Sequence, residues 1–490
     1  MERIKNFLFK NSGIRQTVVK NTFWVALGTT ITKIIRVVII IYIARTLGTE
    51  DYGIFTYAMS LVAIFSIFSD IGLTSILTRE LIKRTEEKKE YLSTALVVKL
   101  GFLIGTIILI AIFTPLITKF EAAKPLLIIM AITIAFESLQ GFFYAITRSQ
   151  NKMEVEAGIS IITEILTTIV VLGIFFKYPS VKALAIAYMI GNTLGLIITL
   201  TFLRENLVGI FKYFKKQLVG PIIMASWPFA VMGFFGIFMT NIDSVIIGIY
   251  TSPHILGLYA SAQKPISLLH ILPNFLAAGL FPIINKFSRD REEKKLSAVV
   301  EKSALASLLI ALPIVVGGII IAEPLISVTF GNQFIGAVFT LQILLVSLLI
   351  VFPGSMLADL ILAENKQKVF IKSSFLGAAT NVILDIILIP IYGITGSAVA
   401  TVIAILIAYS FFFSEARKIT KYNILGGIKK MVIATIIMAI TTYILKTLAI
   451  PLLLIIGISA ILYFALLLIM KEEIVEDVRL SFRTKNKITS

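Results

Sequence analysis

Thr29, Lys33 and Arg36 stand at i, i+4 and i+7 of an apolar run that extends from about residue 23 to residue 44. In a helix the three side chains share one stripe. At 1.5 Å per residue, Lys33 lies about 15 Å into the span. Two like charges one turn apart repel unless water or an anion lies between them. Ionisable side chains at this depth face a wet cavity or a partner. The stripe suits an anion, because a guanidinium offers a fork of donors to phosphate and an ammonium a point charge. The competing reading is a structural ion pair, with Asp70 of the next apolar run as the expected partner. One carboxylate cannot neutralise two cations, so an anion site facing a cavity is preferred.

Other ionisable residues share that setting. Asp243 and Lys264 lie on consecutive apolar runs, about 10 Å and 14 Å from one surface at the helical rise. They read either as a pair closing a hairpin or as a proton- or ion-coupled switch. Glu137 and Glu164 are lone carboxylates near mid-depth, each a cavity ligand, a proton site or a satisfied packing residue. Asp70 joins them as a coupling candidate. Lys99, Asp359 and Asp385 lie closer to the ends of their runs and are expected to snorkel. His270 reads as a hydrogen-bonded core residue and His254 as part of a loop.

The chain has no Cys and two His, which excludes disulfides, thiol catalysis and a His-rich zinc site. No G-x-x-x-x-G-K-[ST] loop occurs, so intrinsic ATP hydrolysis is not expected. No catalytic constellation stands out; neither an enzyme nor a bound metal or cofactor is expected.

The elements that must position these residues are membrane helices. Of 490 residues, 58% are hydrophobic and 15% charged, whereas soluble chains run near half and a quarter. The excess forms about fourteen apolar runs between residues 22 and 470, most long enough for a bilayer core that needs about 20 helical residues. They are apolar all round, which argues against a β-barrel. The expected fold is an all-α polytopic membrane protein. Residues 1–20 form a basic amphipathic segment without the features of a signal peptide. Two pseudo-symmetric six-helix bundles follow at 21–205 and 206–415, then two extra helices within 416–470 and a basic tail at 471–490.

The 45 Lys and Arg residues are unevenly placed. Thirty-five fall in the termini and the loops of one face, six on the other, and Lys33, Arg36, Lys99 and Lys264 inside the spans. The positive-inside rule then puts both termini in the cytoplasm, in a multi-pass cell-membrane protein. The net charge of +17 is thus a topology signal, helped by anionic lipid at the inner surface, and no nucleic-acid partner is expected. Gly101 and Gly105, and Gly191 and Gly195, form GxxxG patterns read as packing faces. Pro228, Pro265, Pro273, Pro313 and Pro353 fall inside spans, where they can kink helices.

A weak internal repeat is present. "YGIFTYA" (Tyr52 to Ala58) and "LGLYASA" (Leu256 to Ala262) align at an offset of 204, pairing Gly53 with Gly257 and Asp70 with Asn274. "SQNKMEVEA" and "AENKQKVFIKS" pair Asn151-Lys152 with Asn365-Lys366 at an offset of 214. Six spans separate the copies, which makes this a parallel repeat about the membrane normal.

"ARTLGTEDYGIFTYAMS", followed by "SDIGL", resembles the N-terminal signature of the polysaccharide transport family. These are oligosaccharide flippases of the multidrug/oligosaccharidyl-lipid/polysaccharide exporter superfamily. "NIDSVIIGIYTSPHILGLYASAQK" is similar to that family's span 7 to span 8 hairpin, with Asp243, Gly257, Tyr259 and Lys264 on its usual positions. The resemblance covers roughly residues 20 to 470. It implies two bundles around a central cavity and alternating access for a polyprenyl- or dolichyl-linked oligosaccharide in the lipid bilayer. A coupling ion, proton or sodium, and other glycan-assembly proteins are the implied partners. Lys33, Arg36 and Thr29 would then hold the anionic headgroup. The alternatives are a cation-coupled multidrug antiporter, whose cavity should be acidic, and a membrane glycan polymerase or glycosyltransferase, which would carry large charged outer loops. The outer loops of this chain are short and charge-poor.

Overall fold

Inside a bilayer a backbone has no water to bond, so long apolar runs satisfy their amides as helices. The computed structural model describes residues 9, 11, 13–84 and 86–476. The other positions of the expected amphipathic start and basic tail lie outside the described residues. Among the described residues there is no strand, and eleven helical stretches are long and apolar enough to cross a membrane. The expectation of an all-α polytopic membrane protein holds.

The first helix, α1 (Ile14–Phe65), has 52 residues. Straight, it would run about 78 Å against a hydrocarbon core of about 30 Å. Its turn is at Gly48, with φ 81° and ψ 177°, a conformation open to glycine but costly to other residues. A short helix, α2 (Ile67–Asp70), is separated from α3 (Leu73–Lys83) by Ile71 and Gly72, both left-handed. A Cβ at Gly72 would fall 2.6 Å from the Ser226 carbonyl oxygen, so glycine is required by conformation and by space. The apolar run that carries Asp70 is therefore broken directly after that residue.

The chain divides into two compact units, Met1–Ala260 and Ser261–Ser490. The first holds α4 (Lys88–Ile117), α5 (Lys124–Ser149), α6 (Met153–Lys177), α7 (Val181–Phe202) and α8 (Val219–Tyr250). The boundary falls within α9 (Pro253–Leu269). Helix α7 packs on α6 through Gly191 and Gly195, whose missing Cβ positions are filled by Thr167 and Thr163. Gly101 and Gly105 are different: among the described residues no neighbouring atom lies within 4 Å of a Cβ there, so that GxxxG pattern packs against none of them. Leu77, Leu96, Phe142, Ile146 and Ile222 form the buried centre of one cluster. Lys20, completely buried, ties the start of α1 to the loop between α5 and α6. Its Nζ lies 2.9 Å from a Glu154 carboxylate oxygen and donates to the Asn151 carbonyl at 3.0 Å.

Two glycines of this unit approach backbone more closely than any side chain allows. A Cβ on Gly53 would lie 1.8 Å from the Pro253 carbonyl oxygen, and one on Gly257 would lie 1.9 Å from that of Thr49. Beside them, Thr49 Oγ1 and His254 Nδ1 are 2.6 Å apart.

The second unit holds α10 (Ile271–Arg289), α11 (Glu293–Thr329), α12 (Val338–Val346), α13 (Leu348–Ala363), α14 (Gln367–Ile419), α15 (Lys429–Thr447) and α16 (Leu452–Ile469). Helix α14 has 53 residues and turns at Gly393 (φ 57°). Helix α13 packs against α10, α11 and α14, with Ile284, Val300, Leu357, Ile361 and Phe412 buried between them. The last two helices pair with each other and lean on α11 through Leu305, Met431, Met438 and Tyr463.

Candidate polar site of the first unit

Arg36 on α1 is held by two carboxylates from two other helices. Its Nε donates to Glu164 Oε1 at 3.2 Å and its Nη2 to Oε2 at 2.9 Å, a two-toothed fork. Its Nη1 lies 3.6 Å from Glu137 Oε1. Glu164, on α6, has a side chain only 7% exposed, whereas the Arg36 and Glu137 side chains are 47% and 48% exposed. The cluster is thus closed on the Glu164 side and open on the Glu137 side. Tyr188 of α7 lies within electrostatic reach of all three. Its hydroxyl is buried without a hydrogen-bond partner among the described residues, so this wall offers a further polar group.

Lys33, one turn before Arg36 and on the same stripe, is exposed, as is Thr29 one turn earlier. Lys33 has no hydrogen bond or ion pair among the described residues. Ionised, Lys33, Arg36, Glu137 and Glu164 sum to zero.

Asp70 is not the partner of this stripe. Its Oδ1 accepts from Lys99 Nζ at 2.7 Å and from Thr74 Oγ1 at 2.8 Å. Lys99 Nζ also donates to Ser138 Oγ at 2.7 Å, and Ser138 contacts Ser69 Oγ at 2.9 Å. The Lys99 side chain is completely buried, so the expected snorkelling does not occur. The ammonium finds its partner inside the bundle, where the chain breaks after Asp70 and brings that carboxylate onto α4.

Asp243 on α8 is 2% exposed and accepts from the Tyr259 hydroxyl at 2.5 Å. Lys264 and His270 are half-buried on and just after α9. His254, expected in a loop, stands at the start of α9 against Thr49. Asp385, expected to snorkel, is completely buried in α14, and Asp359 is half-buried in α13.

Several residues that complete these clusters carry no charge. Ser138, Gln140, Thr163, Tyr188 and Tyr259 were not singled out from the sequence. The signal for the first two was "ESLQ", three polar residues in four near mid-span. Each turns to a different neighbour. Glu137 faces Arg36, Ser138 faces Lys99, and the Gln140 amide donates to Thr163 Oγ1 at 3.1 Å and Thr199 Oγ1 at 3.0 Å.

The family described as "Polysaccharide biosynthesis protein" matches residues 18–288. The "Probable low-salt glycan biosynthesis flippase Agl15" of Haloferax volcanii is 24% identical over 377 residues, covering 74% of this chain and 76% of that one. The "Capsular polysaccharide biosynthesis protein CapF" of Staphylococcus aureus is 21% identical over 412 residues, covering 81% and 100%. Among solved structures, "Lipid II flippase MurJ, inward closed conformation" superposes with a TM-score of 0.77 at 20% identity, covering 91% of this chain and 98% of that one. That likeness establishes a shared fold.

Proposed function

The chain belongs to the polysaccharide biosynthesis protein family, and from that premise we propose that it is a flippase, carrying a lipid-linked oligosaccharide from the cytoplasmic to the outer leaflet by alternating access. The observation that carries this reading is Lys33, an exposed cation deep in an apolar run with no partner among the described residues. A charge in that position is costly and is retained where it meets a ligand or water.

In this reading the phosphate or pyrophosphate of a polyprenyl or dolichyl carrier docks on Lys33, with the Thr29 hydroxyl one turn away. Arg36 flanks the site, its fork fixed by Glu164 and its Nη1 edge turned to Glu137. Because the four charges balance, an added proton on Glu137 leaves the cluster net positive and strengthens its hold on an anion. Glu137 is therefore the coupling candidate of this unit, with a proton or sodium gradient, or consumption of the product outside, supplying the drive. The loop charges support cytoplasmic termini, and the offsets of 204 and 214 support two six-helix bundles followed by an extra pair. A cation-exporting antiporter would need an acidic stripe where this chain has Lys33 and Arg36. No group here is asked to perform catalysis.

Surface glycan in cells depleted of the native protein tests the site. Lys33→Ala, at matched protein level, abolishes export, while Lys33→Arg keeps a larger share because charge matters before geometry. Undiminished glycan with Lys33→Ala overturns the headgroup site.

A further inference from the structure

The second unit contains a groove of about 550 Å³ between α13 and the last turns of α14. Leu406, Ser410, Phe413, Ser414 and Arg417 fall at i, i+4, i+7, i+8 and i+11 and form one face of α14. Ile350 of α13 lies opposite and Lys418 flanks the mouth. Chemically the groove is graded. Along α14 the lining runs from Leu406 through Ser410, Phe413 and Ser414 to Arg417 and Lys418, from an apolar end through a mixed middle to a basic end.

The surrounding charge has the same sign. Residues 364–372 and 415–421 hold six basic side chains, Lys366, Lys368, Lys372, Arg417, Lys418 and Lys421, against Glu364 and Glu415. Both acids are already engaged. Glu364 accepts from Ser288 Oγ at 2.5 Å, and Glu415 is bridged by Lys418 at 2.5 Å and Lys366 at 3.4 Å. Lys372 lies over the Phe411 ring at 5.1 Å, an ammonium resting on an aromatic face at the level where apolar helix gives way to charge.

We propose that this groove is a binding site for one anionic phospholipid of the inner leaflet. An acyl chain lies along Leu406, Phe413 and Ile350, the glycerol and ester oxygens meet Ser410 and Ser414, and the phosphate sits between Arg417 and Lys418. Charge complementarity selects the occupant, since a zwitterionic lipid brings its own cation to a mouth that already has several. The site is separate from the Lys33 stripe, which lies in the other unit. Its assignment to the inner leaflet rests on the topology given under Proposed function.

Native mass spectrometry on the purified full chain, with phosphatidylglycerol, phosphatidylethanolamine and inorganic phosphate as probes, tests it. The wild type retains phosphatidylglycerol in preference to phosphatidylethanolamine. The double variant Arg417→Gln/Lys418→Gln loses about thirtyfold in that affinity, the effect expected of two cations at a membrane surface. Leu406→Trp fills the groove and releases the lipid while leaving the charges in place. Both sets of side chains are exposed, and an unchanged unfolding temperature in lipid-free detergent confirms that the variants fold. Equal retention of phosphatidylglycerol by wild type and double variant, or by wild type and Leu406→Trp, overturns the site. Displacement of the lipid by inorganic phosphate alone overturns the lipid as occupant. Gln367→Cys, a sole cysteine at the exposed first residue of α14, checks the topology independently. Labelling of intact cells by an impermeant maleimide would overturn the inner-leaflet assignment while leaving the lipid measurement standing.

Discussion

The first unit places two basic side chains inside apolar helices and resolves them differently. Lys99 is completely buried, and its ammonium is shared between Asp70 and Ser138 on two other elements. Arg36 has half of its side chain exposed, one carboxylate tightly forked and a second 3.6 Å away. Ion pairs of this kind recover the cost of desolvation only when geometry is good and the remaining donors are satisfied. The Lys99 cluster comes nearer to that condition, with two partners at 2.7 Å on a completely buried ammonium. The Arg36 cluster meets it on one side only, and the next cation on its stripe, Lys33, does not meet it at all. The gradient from Lys99 through Arg36 to Lys33 is one from fastening helices to facing something outside the protein.

Removing a carboxylate at the closed end should do the greatest damage. Asp70→Asn leaves Lys99 buried with no counter-charge, a loss of about 3–5 kcal/mol for a pair of this type. Thermal unfolding of the purified chain should fall steeply, and Asp70→Asn/Lys99→Met should recover most of the loss. A single variant as stable as the wild type would show that the two clusters do not differ in the way described.

Glu164→Gln probes the intermediate case. The amide can still accept one hydrogen bond from Arg36, and Arg36 keeps Glu137 and its exposed edge. The expected loss is that of one charge-assisted bond, about 1.5–3 kcal/mol. Unfolding temperature should drop less than for Asp70→Asn. Export should fall as well, because the two-toothed fork that fixes Arg36 beside Lys33 is reduced to one bond. A drop larger than that of Asp70→Asn would reverse the order of the two clusters.

How far the sequence reveals this arrangement depends on the distance over which each feature is set. The membrane helices were legible because an apolar run of bilayer length carries its own structure; the apolar run that carries Asp243 is the helix Val219–Tyr250. Single positions of the internal alignment can be followed in the structure. Asn151 and Asn365, paired at an offset of 214, both take the left-handed conformation, with φ 54° and 56°. Gly53 and Gly257, paired at 204, each press on the residue, Pro253 or Thr49, that is the other's neighbour at the same offset. Partners were not legible. Glu137 and Glu164 lie more than a hundred residues from Arg36, and composition does not set the rotation of α5 and α6 about their axes. Asp70 was weighed as a partner of the Lys33 and Arg36 stripe, whereas it pairs with Lys99 at a break in its own apolar run. The break at Ile71 and Gly72 changes the direction of everything near it.

The smallest effect on stability, and the sharpest contrast, belongs to Lys33. With no partner to strand among the described residues, Lys33→Met removes a cation from an apolar helix and leaves every observed hydrogen bond in place. Substitutions away from packed or paired features usually change stability by no more than about 0.5 kcal/mol. Here the sign should be neutral or favourable, because a charged side chain in a hydrocarbon setting is itself a cost. The unfolding temperature should hold or rise slightly while export is lost, the opposite of Asp70→Asn/Lys99→Met, where restored stability should restore export. A residue that weakens the fold yet is indispensable to transport is recognised by that dissociation. A clear fall in unfolding temperature for Lys33→Met would mean that the ammonium fastens the bundle as Lys99 does, and the gradient across the three cations would collapse into three structural pairs.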